Sequence, residues 1–156
     1  MPKIDIDAID VRKTCAYPAP YASHCDGREK QALGNAGHLD QFGVNLTRLK
    51  PGAASAHKHW HAREDEFIYM LKGEAVLIED DAETILRAGD AAAFKAGVEN
   101  GHMLVNRSGQ ECLFIEVGSR MEDDITSYTD ESVDMQAFKV DGDWEFRRKD
   151  GTPFEG

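Results

Sequence analysis

The stretch HKHWHAREDEF, residues 57–67, sets histidines at 57, 59 and 61, follows them with acidic residues and opens into apolar FIYML. Half of the chain's six histidines fall within these five positions, and imidazole is the side chain most used to hold a metal. The local backbone decides which of them can act together. On a helix, His57 and His61 lie one turn apart, but an HExxH site would need glutamate where Lys58 stands. On a strand, side chains alternate, so His57, His59 and His61 share one face. Glu66 comes five positions after His61, the wrong parity for an unbroken strand. The strand reading therefore requires a turn or bulge over residues 62–65. Beyond it, Glu66, Ile68 and Met70 share one face and Phe67, Tyr69 and Leu71 the other, as two facing layers require.

Outward from this stretch, short alternating segments repeat. FGVNLTRL (42–49) ends at Pro51-Gly52, and FIYMLKGEAVLIED (67–80) reads as two strands about Lys72-Gly73-Glu74. ETILRAGDAAAF (83–94) gives a strand and a turn at Ala88-Gly89-Asp90, and HMLVNRSGQECLFIEVGSR (102–120) gives two strands about Ser108-Gly109. Closely spaced strands with glycine turns and no long helical period predict an all-β sandwich or barrel. Residues 1–39, with YPAPY and several glycines, read as an irregular arm covering the barrel of residues 40–120. Residues 121–156 read as a C-terminal extension lying across the barrel as an added edge, or across a partner subunit.

A chain of 156 residues with 41% hydrophobic content suits one domain. Its net charge of −11, from 29 acidic and 18 basic residues, opposes nucleic acid or an anionic membrane as partner. No apolar run is long enough to span a bilayer, and MPKIDIDAIDVRK lacks the apolar centre of a signal peptide. A cytoplasmic location is expected. Cys15, Cys25 and Cys112 are odd in number and lack CxxC spacing, so reduced thiols are expected.

Gly52, His59-Trp60-His61, Glu66 and Gly73 resemble the first motif of the cupin family: a glycine, an HxH pair, a glutamate after four residues and a glycine after six more. Gly89, Gly97, His102 and Asn106 resemble the second. Lys95 stands where that motif usually has proline, four residues rather than two separate Gly97 from His102, and Gly52 is one residue further from the HxH pair than usual. These departures fall in loops, which tolerate insertion. The text around both motifs is similar to small single-domain bacterial cupins, some provisionally labelled sugar-phosphate isomerases. The resemblance implies a double-stranded β-helix, or jelly-roll, barrel. It also implies one divalent transition metal ion held by His59, His61, Glu66 and His102. Three imidazoles and a carboxylate suit Fe, Mn, Zn, Ni, Co or Cu and leave positions for a small-molecule ligand. Small cupins are commonly dimers whose arms cross, and Ile4, Ile6, Tyr17, Tyr21, Phe138, Trp144 and Phe146 are available for such crossing, so a homodimer is expected.

Besides Glu66, three residues are candidates for catalysis. His57 is expected at the rim, as a substrate contact or proton relay. Asn106 shares a face with His102 and Leu104 and is expected to point into the barrel near the metal. Glu116 is an acid inside an apolar strand; it would be a general base if it faced inward, and an outward edge position is the favoured expectation. Trp60 and Tyr69 read as packing aromatics. The pocket reads as mostly apolar, lined by Glu66, Ile68, Met70, His102, Leu104 and Asn106, with Lys95, Arg48 or Arg63 the only cations near its mouth. Those features favour a neutral or singly anionic oxygenated substrate. Two function classes remain open. One is a metal-dependent enzyme with isomerase-like or oxygenase-like enolate or enediol chemistry; the other is a non-catalytic metal- or ligand-binding module.

Overall fold

The computed structural model describes residues 3–154. Twelve strands form two antiparallel sheets: β1 (Arg28–Ala32), β2 (Phe42–Leu49), β3 (His59–His61), β4 (Glu66–Lys72), β5 (Glu74–Glu79), β6 (Glu83–Arg87), β7 (Ala91–Phe94), β8 (His102–Val105), β9 (Cys112–Ser119), β10 (Ile125–Tyr128), β11 (Gln136–Val140) and β12 (Asp143–Arg147). One sheet runs β1-β2-β9-β4-β7 and the other β12-β11-β10-β3-β8-β5-β6. The all-β jelly-roll expectation is met. Among the described residues, no helix is long and apolar enough to cross a membrane.

Alternation places the core between the sheets. Met70, Phe114 and Thr47 stand in register across β4, β9 and β2, and all three are fully buried, while Phe67, Tyr69 and Leu71 on the other face of β4 are exposed. Leu49, Leu77, Leu104 and Cys112 complete this cluster. Tyr69 is thus a surface residue and not the packing aromatic expected of it. Gly73 turns the chain from β4 in one sheet to β5 in the other at φ +73°, and a Cβ there would sit 2.8 Å from the Glu111 carbonyl oxygen. A side chain at this turn is excluded by both conformation and space.

Both arms add strands. The N-terminal arm supplies β1, which pairs with β2 from Arg28↔Leu49 to Ala32↔Asn45. The C-terminal extension supplies β10, β11 and β12, which extend the larger sheet from β3. The expectation that residues 1–39 are irregular throughout is therefore corrected. REKQA shows no apolar alternation because Arg28 and Lys30, on its inward face, meet a polar cavity instead of the core. Aromatics expected to cross to a neighbour are used within the chain: Tyr17, Tyr21, Trp144 and Phe146 pack against the buried Tyr128, Val133, Met135 and Ala137.

Candidate metal centre and its cavity

Strand β3 carries His59 and His61 on the inward face, as period two requires. Residues 62–65 turn the chain, and β4 begins at Glu66 in the opposite sheet. β8 begins at His102, which stands in register with His59. The cluster is therefore assembled from both sheets. His59, His61 and Glu66 offer ligand atoms within 4.8 Å of one another. The Nε2 atoms of His102, His61 and His59 lie 2.8, 3.5 and 3.7 Å from the same Glu66 oxygen, Oε2.

The far sides of the rings explain this convergence. His59 Nδ1 donates to the His57 carbonyl oxygen at 2.7 Å, and His61 Nδ1 donates to Asp124 Oδ2 at 2.5 Å. A carbonyl and a carboxylate only accept, so each bond places the proton on Nδ1 and leaves the Nε2 lone pair directed at Glu66. Asp124 is itself buried and accepts from the Arg63 backbone N–H. His102 stacks on Phe94 with centroids 3.6 Å apart, and its buried Nδ1 has no partner among the described residues.

Burial pushes the His59 imidazole down to about 3, with the neighbouring His102 and His61 adding to the effect, so the ring is neutral at pH 7. Burial opposes a charge on His61 as well, but the Asp124 hydrogen bond and the Glu66 and Glu64 charges outweigh it and raise that ring's pKa. For Glu66 the penalty of burial is overcome by the His102 hydrogen bond and the three rings, which hold the carboxyl well below its usual range. The imidazole nitrogens of His59 and His61 and a Glu66 carboxylate oxygen form a donor group compatible with a borderline divalent ion.

The cluster opens on a cavity of about 440 Å³ between the sheets. In the row beside Glu66, β9 and β2 present Gly118 and Gly43, neither with a side chain of its own, and the Arg120 guanidinium lies over Gly43, 3.7 Å from where a Cβ would stand. One row further, Glu116 stands in register with Ile68 and Asn45 and faces inward. It accepts a hydrogen bond from Lys30 Nζ at 2.7 Å. The outward placement expected of Glu116 is corrected. The apolar pocket is corrected too, since Arg12, Arg28, Lys30, Arg120 and Lys139 line the cavity, whereas Lys95, Arg48, Arg63 and Met70 do not.

Two further candidates lie elsewhere than expected. His57 is buried and not at a rim: its ring stacks on His24 with centroids 3.8 Å apart and lies against Tyr17 and Tyr21. It reaches the cluster only through its carbonyl. Asn106 is fully buried, and its side chain is used by the turn that carries the chain from β8 in one sheet to β9 in the other. Its Nδ2 donates to the Leu49 and Gln110 carbonyls, and its Oδ1 accepts from the Ser108 N–H and hydroxyl. Sequence reasoning missed Asp124, Arg28 and Lys30. The one signal for Asp124 is its position just before the alternating ITSY.

A cupin domain model matches residues 45–118. The chain is 42% identical to a sugar phosphate isomerase of the cupin superfamily from Silicibacter pomeroyi, over 99% of this chain and 98% of that one, with a TM-score of 0.93. This chain belongs to the cupin superfamily. The fold also matches a protein of Acidithiobacillus ferrooxidans, provisionally named a sugar phosphate isomerase, at 22% identity over 83% of this chain and 81% of that one, TM-score 0.72. A polyketide cyclase of Streptomyces resistomycificus matches at 20% identity over 76% and 79%, TM-score 0.63. Alkyl hydroperoxide reductase C of Staphylococcus saprophyticus is 27% identical over 96 residues, 61% of this chain and 49% of that protein. The chain thus spans about half the length of the curated relatives it matches.

Proposed function

We propose that this cupin is a metal-dependent enzyme that isomerises a small hydroxy-carbonyl compound of the sugar or sugar-phosphate kind. The observation that carries the reading is the convergence of the His59, His61 and His102 Nε2 atoms on one Glu66 oxygen at the wall of a cavity. A divalent ion held by these four residues would polarise a carbonyl and stabilise negative charge on adjacent oxygens. The name of the Silicibacter pomeroyi relative supports the reaction class.

The chain's own residues supply the remaining parts. Gly118 leaves room for substrate beside Glu66, and the Arg120 guanidinium stands over Gly43. Asp124 holds the His61 ring in its orientation. Of the cavity carboxylates outside the histidine cluster, Glu64 is occupied by Lys139 Nζ and the Met121 N–H on a single oxygen, while Glu116 is held by Lys30 alone. Glu116 therefore takes the role of proton carrier. It removes the proton from the carbon next to the carbonyl and returns it to the former carbonyl carbon, as the hydroxyl proton passes to the other oxygen. Nothing is oxidised or reduced.

The likeness to a hydroperoxide reductase is not carried over. Reduction of a peroxide by a thiol needs an accessible thiolate. Cys25 and Cys112 are buried, burial pushes the Cys25 thiol up to about 12 and shifts Cys112 in the same direction, and the half-buried Cys15 keeps its thiol hydrogen on the Ala22 carbonyl oxygen at 3.2 Å.

The test pairs elemental analysis of the purified protein with NMR of aldoses and their phosphates in D2O. The expected result is near-stoichiometric divalent metal and metal-dependent deuterium incorporation beside the carbonyl. Unchanged metal content in a His59→Ala/His61→Ala double variant would overturn the centre. Iron with oxygen consumption and no exchange would replace isomerisation with oxygenation, and metal with neither activity would leave a binding module.

A further inference from the structure

We infer that Arg12, Arg28 and Lys30 form an anion-holding subsite in the cavity wall, which takes the phosphate or carboxylate of a substrate whose opposite end meets the histidine cluster. This rests on the proposed function only in assigning that opposite end.

The chain has nine arginines among 29 acidic residues, so a guanidinium without a carboxylate partner is not explained by a shortage of acids. Six of them, Arg48, Arg63, Arg87, Arg107, Arg147 and Arg148, form ion pairs. Among the described residues the remaining three, Arg12, Arg28 and Arg120, have none, and all three line the cavity. Arg120 is already engaged by the Leu39 carbonyl and the Asn35 side chain. Arg12 and Arg28 are left.

Backbone geometry puts these two beside Lys30. Arg12 and Lys30 form an antiparallel bridge with both N–H to carbonyl bonds made, at 2.8 and 2.9 Å. Residues directly opposite in such a bridge project to the same side. Lys30 stands in the row of Thr47, Phe114 and Met70, which is the inward face. Arg28, two residues along the strand, shares that face. Three cationic side chains, two on β1 and one on the segment bridged to it, therefore point into one wall of the cavity.

Their remaining bonding capacity suits an anion. Arg28 spends one nitrogen, Nη1, on the Ser55 carbonyl at 2.5 Å, which anchors the side chain and leaves its other N–H groups to form a fork. Guanidinium forks match phosphate and carboxylate oxygens in pairs, and Lys adds a point charge. Glu116 links the two ends: it receives Lys30 and stands in register with Ile68, two residues along β4 from Glu66. A substrate held at both ends would pass this carboxylate. In a chain of net charge −11, such a concentrated positive wall gives an anionic substrate one favourable surface.

The experiment is calorimetric titration of the full chain, metal-free and metal-loaded, with inorganic phosphate, ribose, ribose 5-phosphate and glucuronate. Inorganic phosphate should bind the metal-free protein, and Arg28→Gln and Arg12→Gln should each weaken it by about tenfold, the scale of losing a charge-assisted hydrogen bond. Arg28→Lys should recover part of the loss. In the metal-loaded protein, ribose 5-phosphate should bind more tightly than ribose, and Arg28→Gln should remove that advantage while metal content stays unchanged. The same pattern with glucuronate in place of the phosphate ester would identify the anion as a carboxylate. Phosphate affinity equal in the parent, Arg28→Gln and the exposed-site variant Arg12→Gln would overturn the subsite, as would no affinity for any of the anions. If the protein holds no metal, the proposed function fails and the metal-free phosphate titration still decides this inference.

Discussion

The Nδ1 of His61 donates to Oδ2 of Asp124 at 2.5 Å, joining a histidine of the HxH pair to a buried carboxylate 63 residues further along the chain. Burial opposes charge on Asp124, but the His61 hydrogen bond and the Arg63 N–H hold its pKa below the ordinary value. An ionised acceptor at Nδ1 keeps the proton there and makes Nε2 the better donor to a cation. Replacing Asp124 with alanine should therefore weaken metal binding by about 10–100-fold. A competition titration against a chromophoric chelator measures it; equal affinity in parent and variant would remove Asp124 from the centre.

The Lys30–Glu116 pair supports a second expectation. Glu116→Gln keeps the shape of the side chain and removes its ability to carry a proton, so metal content should be retained. Deuterium exchange into substrate should fall by about 10²–10⁴-fold, the usual contribution of a positioned acid–base group. Exchange at the parental rate in this variant would pass the role to another cavity group.

These two pairs also show where sequence was legible. The histidine spacing favoured a strand for β3, because period-two alternation carries that information locally, and the resemblance of two motifs to cupins joined His59, His61, Glu66 and His102. Strands of the barrel were readable for the same reason, since their inward faces are apolar. β1 was not. Its inward residues, Arg28 and Lys30, face a polar cavity, so the hydrophobic signal that marks a strand is missing where the strand lines a site. Glu116 was misplaced by the same logic, being read as outward because it is charged. Asn106 and His57 have the parity of the cluster, but hydrogen bonds in the turn between β8 and β9 and an aromatic cage, both set by tertiary contacts, take up their side chains. Asp124 meets His61 only through the pairing of β10 with β3, which no spacing within the barrel motifs encodes.

Acid sensitivity should centre in part on Asp80. Its carboxylate accepts from the Gly101 N–H at 2.8 Å and the Thr129 hydroxyl at 2.7 Å, and pairs with Lys58 Nζ at 3.1 Å. Burial acts against the charge, yet these donors lower its pKa. A folded pKa below the unfolded one, about 3.9, contributes stability that is present above the unfolded value and lost as pH falls through the folded one. Asp80→Asn should thus lower the urea midpoint at pH 7, and the gap from the parent should narrow below about pH 4. A gap that is constant with pH would show that the lost contacts act without the charge.

Gly73 should tolerate no side chain. Alanine there must adopt φ near +73° and place its Cβ against the Glu111 carbonyl and the Cys112 backbone. A loss of about 1–3 kcal/mol in unfolding free energy is expected from the strained conformation alone. Denaturant unfolding of Gly73→Ala measures it, and an unchanged midpoint would mean that the turn between β4 and β5 shifts at no cost.

Assembly is the last expectation, and the structure changes its basis. The arms' aromatics are consumed within the chain, so they do not supply the contact surface. The outer face of the five-stranded sheet is the surface expected to do so. Phe67, Tyr69 and Leu71 on β4 are each more than 40% exposed. In register beside them stand Val117 and Ile115 on β9, then Val44 and Leu46 on β2, with Ala93 and Ala91 on β7 at the other side. A contiguous apolar face of this kind on an antiparallel sheet is normally covered. A second copy, placing the same face against it about a two-fold axis, would cover both at once. The chain should sediment as a homodimer at micromolar concentration. Phe67→Glu/Tyr69→Glu should shift it to monomer, with metal content retained because both side chains point away from the cavity. A monomeric parent would rule out this face as a self-association surface, and a dimer unaffected by the double substitution would move the interface elsewhere.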